Sequence, residues 1–259
     1  MMNKTLLFVL LFSSHFVGAQ TTSELITDRP DQTESSTAVP FKYLQIETGF
    51  LLENKSTNLL QYKSYVFNST LLRYGLLHNF ELRLGLEYLG DRTENKHQDT
   101  TGKITGFGPL YTGFKVKIAD EDSWRPEIAI LGGLVLPFTA KKDYKPTNVS
   151  ADLRLAFSHT LSDRFSLGYN LGAEWDGESA SPFYFYSLAL GIGITNNLSM
   201  FAESYGLLNP EGKPENLVDA GFTYLVLRNL QLDLSGGIGL NDQAIDNFIS
   251  FGLTLRIPD

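Results

Sequence analysis

Cysteine is missing from all 259 residues. That excludes disulfide cross-links and every metal centre built on thiolates, so stability has to come from packing and backbone hydrogen bonds. Histidine is scarce, and His15, His78, His97 and His159 stand far apart, at no spacing that would hold zinc. Positive charge is short: 21 Lys and Arg face 29 Asp and Glu, a net charge of -8, which argues against a nucleic-acid partner or a polybasic lipid patch. Phosphate-cradling loops are absent too, because the 23 glycines recur at strand positions with no helix behind them. Helical periodicity is almost nowhere to be found. Neither a cofactor nor a metal is expected.

One apolar run does occur, from Leu6 to Phe12, but it is too short to cross a bilayer as a helix. Lys4 before it and Gly18-Ala19-Gln20 after it give the layout of a secretory signal peptide over residues 1–19, cleaved between Ala19 and Gln20. The mature chain then has 240 residues (259 less 19) and, without Lys4, a net charge of -9. Residues 20–40 are polar and hold too few apolar side chains to fold alone. From residue 41 to 259 no Pro/Ser-rich linker divides the chain, and one domain is expected.

What the sequence has in abundance is alternation. In Phe80–Tyr88, Phe80, Leu82, Leu84, Leu86 and Tyr88 oppose Glu81, Arg83, Gly85 and Glu87. The same period of two sets Leu44, Ile46 and Phe50 against Gln45, Glu47 and Gly49, and Ile249, Phe251, Leu253, Leu255 and Ile257 against Ser250, Gly252, Thr254 and Arg256. About twelve such segments follow one another, each of about ten residues, the length of a tilted strand crossing a bilayer. They start near Lys42, Tyr65, Phe80, Gly106, Arg125, Ser150, Phe165, Phe183, Leu198, Leu217, Leu230 and Asn247. Short links, such as Leu77 to Asn79 and Arg228 to Asn229, alternate with longer polar ones, such as Asn54 to Ser64 and Gly90 to Thr105. The pattern predicts an all-β fold: an up-and-down antiparallel transmembrane barrel of about twelve strands, with tight turns and both ends of the barrel in the periplasm.

A soluble barrel or sandwich also alternates, but it fills its interior with bulky apolar side chains. Here the minority face carries the candidate lumen residues Glu47, Arg73, Glu81, Arg83, Glu87, Asp152, Arg154, Glu174, Glu203, Asp219 and Asp233. Aromatics gather at the expected strand ends, with Tyr88, Trp175, Tyr184 and Tyr186 toward the outer rim and Tyr74, Trp124, Phe165 and Tyr224 toward the inner. Twelve strands would close a barrel roughly 24 Å across between backbones, so inward side chains decide whether a polar path remains or the charges seal it. Residues 20–40 are read in two ways: a solvated periplasmic tail, or a plug in which Asp28, Arg29, Asp31 and Glu34 pair with lumen charges and Pro30 stiffens the segment.

Catalysis finds little support. Ser158 and His159 are adjacent, so on a strand they point to opposite faces, and His78 and His97 fall in a turn and a loop. Glu81 and Glu87 read as ion-pair partners of Arg73, Arg83 and Arg154 rather than as an acid-base pair.

The opening "TDRPDQTES" (Thr27 to Ser35) and "YLQIETGF" (Tyr43 to Phe50) resemble the start of the MetA-pathway phenol-degradation family, as do "LLRYGLLHNFELRLGLEY" (Leu71 to Tyr88), "GFGPLYTGFKVKI" (Gly106 to Ile118) and "DAGFTYLVLRNLQLDLSGGIGL" (Asp219 to Leu240). The resemblance implies a bacterial outer-membrane barrel, porin-like, that moves small molecules, aromatic or hydrophobic ones among them. Expected partners are outer-membrane lipids, an unidentified small solute and the barrel-assembly machinery. Many membrane barrels end on an aromatic residue, whereas this chain ends Arg256-Ile257-Pro258-Asp259. The alternative to a passive channel is a structural or adhesive barrel that binds ligands through outer loops such as Gly90 to Lys103 and Pro137 to Pro146.

Overall fold

The computed structural model describes residues 24–97, 101–210 and 212–258. The expected signal peptide and its cleavage point at Ala19 and Gln20 lie outside them, as do three residues of the Gly90 to Lys103 loop. Thirteen strands follow one another: β1 (Leu44–Ser56), β2 (Leu60–Leu77), β3 (Phe80–Asn95), β4 (Thr101–Phe107), β5 (Leu110–Ala119), β6 (Glu127–Leu136), β7 (Ser150–Thr160), β8 (Phe165–Trp175), β9 (Phe183–Gly193), β10 (Leu198–Leu208), β11 (Glu215–Leu227), β12 (Leu230–Gly239) and β13 (Asn247–Ile257). β4 and β5 both pair with β3, the first along its outer half and the second along its inner half, so they are two pieces of one stave broken at Gly108 and Pro109. The thirteen strands therefore build twelve staves.

Every neighbouring pair is antiparallel, and β1 pairs with β13 from Leu44↔Ile257 to Asn54↔Asn247, which closes the sheet on itself. Closure leaves no unpaired sheet edge for lipid to meet, the condition for a β structure to span a membrane. The apolar set of each strand points outward: Leu84, Leu153, Leu171, Phe222, Leu234 and Phe251 are all exposed on the barrel wall. Trp124, 87 % exposed, and Tyr224 stand at the rim with the short turns, and Tyr88 and Tyr184 stand toward the other. That exterior suits hydrocarbon with an interfacial aromatic belt.

Ten strand starts fall within two residues of the sequence expectation, and two do not. β2 begins at Leu60 rather than Tyr65, and the fourth stave begins at Thr101 rather than Gly106. The polar stretches Asn54 to Ser64 and Gly90 to Thr105, expected as loops, are mostly ladder, with Leu60 paired to Asn95 and Glu94 to Thr101. Their polarity marks strand that has left the membrane, since backbone pairing continues wherever side chains permit it.

Candidate functional site

The described part of the N-terminal segment, residues 24–40, has no regular secondary structure and runs through one half of the lumen, the half toward the short turns. Its course is held by side chains of the wall. Arg256 donates to the Glu24 carbonyl (3.0 Å), Gln45 to that of Ile26 (2.9 Å) and Asn170 to that of Glu34 (3.0 Å), while the Val39 amide donates to Glu81 (2.7 Å). A chain without a helix or sheet ladder of its own can be buried only where such partners meet its backbone groups.

Asp28 is the hub of the segment. Its carboxylate meets three cations of the wall, Arg73 (3.0 Å), Arg83 (3.1 Å) and Lys115 (2.8 Å), and accepts from the Ser35 amide and hydroxyl. Burial by itself would raise the Asp28 carboxyl, but Arg73, Lys115 and Arg83 together outweigh it and hold the group well below the usual carboxylate range. Arg73 is also clasped by Glu47 (2.7 Å) and Glu81 (2.8 Å), and Arg83 by Glu34 (2.8 Å). Arg73, Lys115, Glu47 and Glu81 have no exposed side-chain surface, so this is a desolvated network in which each charge depends on its partners.

Further along, Arg29 bonds Asp233 (2.9 Å) and Ser250 (3.1 Å). Its guanidinium lies close to where a Cβ on Gly49 or Gly252 would stand, 2.4 and 2.5 Å away, so a side chain at either wall position would displace Arg29 from its seat. The Gln32 amide donates to Glu203 (2.8 Å), and the Thr33 hydroxyl lies between Glu203 and Ser187. Ser36 and Thr37 each donate to Glu127 at 2.8 Å. Pro40 then leads out past Gly75, where any side chain would strike the Pro40 carbonyl at 2.0 Å.

On the other side of the segment the lumen opens into a chamber with two lobes. One lobe, about 480 Å³, is lined by Tyr111, Leu131, Val135, Trp175, Phe183 and Leu207, with Asp152, Arg154 and Glu174 among them. The other, about 360 Å³, lies against Pro30, Leu51, Val66, Leu71, Glu87 and Phe248. Glu34, Arg83 and Arg154 border both lobes. The inner face, expected to be polar and small throughout, is thus polar around the segment and largely apolar and aromatic around the chamber. β6 and β9 are apolar on both faces in this half, which strict alternation does not register.

Of the lumen residues expected from sequence, Glu47, Arg73, Glu81, Arg83, Glu203 and Asp233 contact the segment, and Asp28, Arg29 and Glu34 face them from within it. Asp31 borders the second lobe, and Asp219 pairs in register with Glu203. Arg154 and Glu174 form an ion pair in the chamber wall, with Arg154 also 4.0 Å over the Phe185 ring. Asp152 lies opposite Glu174, and Glu87 stands on the chamber wall apart from the arginines expected to pair with it. Gln45 and Asn170 stand on the inward face that the alternation gives them, whereas Lys115 and Glu127 are missing from that expectation. Lys115 alternates with Phe114 and Val116 in "GFKVKI", so the period that marked Arg83 marks it equally. Ser158 bonds Ser36 inside the barrel and His159 packs near Tyr169 on the outer face, so the adjacent pair does diverge.

A closed twelve-stave antiparallel barrel with an apolar exterior and an internally occupied lumen has the architecture of a bacterial outer-membrane barrel. The chain belongs to the family described as "Putative MetA-pathway of phenol degradation", which matches residues 27–257. In fold it is similar to the COG4313 outer membrane channel from Pseudomonas putida F1, with a TM-score of 0.70, 13 % identity, and coverage of 86 % of this chain and 98 % of that one. It is also similar to the transport unit of the autotransporter AIDA-I from Escherichia coli (TM-score 0.55, 10 % identity, coverage 91 % and 93 %) and to the KdgM porin (0.51, 8 %, 82 % and 98 %). No curated protein matches the sequence.

Proposed function

We propose that this barrel is a passive outer-membrane channel for small molecules, aromatic or hydrophobic ones among them, in which the N-terminal segment plugs the periplasmic half. The observation that carries the reading is the chamber above the segment: Tyr111, Trp175 and Phe183 line a cavity of about 480 Å³, bordered below by Arg83 and Glu34. Apolar walls with a few fixed polar groups are what a small organic solute needs, since the walls remove its surface from water and the polar groups orient it. The segment is held by many individually modest hydrogen bonds and ion pairs rather than by a folded core, so it can leave or shift without unfolding the barrel. Membership of the family and likeness to an outer membrane channel agree with this reading.

Planar-bilayer recording and liposome swelling with purified protein test it. Small aromatic solutes should permeate the intact protein slowly, and deletion of Glu24 to Ser36 should raise conductance. Absence of conductance and flux in both forms would leave a barrel that does not transport.

A further inference from the structure

A second group of acids in the lumen lies apart from the hub. Glu203 on β10 and Asp219 on β11 are directly opposed in the ladder and point inward side by side. Asp219 is 6 % exposed, and among the described residues no donor reaches either of its carboxylate oxygens. On the neighbouring β12, Gly237 stands opposite Asp219, and Asp233 is committed to Arg29. The segment itself supplies Asp31, which immediately precedes Gln32 and Thr33, the two residues that bond Glu203, and the phenol of Tyr205 on β10 completes the surroundings. Among the described residues no guanidinium or ammonium forms an ion pair with Glu203, Asp219 or Asp31, whereas Asp28 binds three.

We propose that Asp31, Glu203 and Asp219 form a proton-dependent latch for the plug. Glu203 and Asp219 are buried side by side and Asp31 adjoins them, so the three cannot all be charged at once and protons must be shared among them. Glu203 already accepts from the Gln32 amide and the Thr33 hydroxyl, both of which favour its ionised form. Of the three, Glu203 is therefore the one best placed to carry the charge, and the protons are shared with Asp31 and Asp219. Burial, and then the Glu203 charge, push the Asp31 carboxyl well above its ordinary range. A group with a raised value in the docked state favours docking below its free value, near pH 4, and loses that contribution as pH rises toward the docked value. Alkaline conditions then place three negative charges at the contact between segment and wall, and residues 31–33 lift away. The inference deepens the channel reading by naming how the plug is regulated.

Hydrogen exchange of the segment, corrected for intrinsic rates and measured on the full-length protein in EDTA at pH 4.5 and 8.5, provides a readout independent of transport. Each unit between docked and free values is worth about tenfold in the equilibrium, so protection of residues 31–36 should fall by at least about tenfold on alkalinisation. Asp219→Asn and, separately, Asp31→Asn should remove most of that fall; the second alters only the segment and leaves the wall intact. Equal protection at both pH values in the native protein, or a native-like fall in both variants, would overturn the latch. Conductance recorded alongside separates the two ideas: a pH-dependent segment in a barrel that never conducts keeps the latch and removes the channel.

Discussion

Replacing Asp28 by Asn keeps the shape of the hub and its acceptor for Ser35, but removes the one carboxylate shared by Arg73, Arg83 and Lys115. The loss is unequal among the three. Arg73 retains Glu47 and Glu81, and Arg83 retains Glu34 at 2.8 Å, but Lys115 is left with the Ser35 hydroxyl at 3.3 Å, Glu34 at 3.9 Å and no exposed surface. Breaking a buried pair by removing one partner costs about 3 to 5 kcal/mol. Departure of the segment lets water reach Lys115, so the penalty falls on the docked state and leaves the empty barrel untouched. Taking the lower figure, about 3 kcal/mol, docking should weaken roughly 150-fold. Hydrogen exchange over residues 28–36 should show that loss as reduced protection, and single-channel recording should show longer open times, with the thermal stability of the barrel little changed. Lys115→Met removes the stranded charge, so Asp28→Asn combined with Lys115→Met should be less harmful than the sum of the two. Unchanged protection in Asp28→Asn, or strict additivity in the double variant, would refute the view of Asp28 as the hub.

Leu84→Arg on the outer face of β3 should cost roughly 2 to 4 kcal/mol if it sits near the bilayer midplane, measurable by urea titration of protein folded into vesicles. Gly75→Val drives a side chain into the Pro40 carbonyl and should cost about 1 to 3 kcal/mol, read as a lower thermal midpoint and faster exchange near Val39. Phe183→Ala opens one wall of the chamber and should weaken retention of a small aromatic solute by about 0.5 to 1.5 kcal/mol, seen as shorter blocking events in single-channel traces.

The barrel was legible because a lipid-facing wall imposes one rule on every strand. Leu82, Leu84 and Leu86 had to alternate with Glu81, Arg83 and Glu87, since a one-residue slip would turn those charges to hydrocarbon. Beyond the membrane that rule lapses, and so the outer hairpin of β2 and β3 looked like loop although its backbone stays paired. The segment was harder to place. Asp28, Arg29 and Glu34 carry charge that fits either water or a charged wall, and only the three-dimensional position of Lys115, 87 residues away from Asp28, shows which cation meets which acid. The chamber escaped because Leu131, Val135 and Phe183 lie on strands with apolar residues on both faces, where period two carries no contrast.

Arg29 has a bearing on how the barrel is put together. Of all strand pairings, β1 with β13 joins the residues farthest apart in sequence, so it is the costliest to bring about in chain entropy. Arg29 lies over that seam, above the facing glycines Gly49 and Gly252, with its guanidinium tied to Asp233 on β12 and Ser250 on β13. A residue that precedes the first strand thus clasps the last two. Zipping the ring shut assembles the seat that Arg29 occupies: the closed barrel offers a berth to a stretch of its own chain, and the occupant in turn bastes the seam.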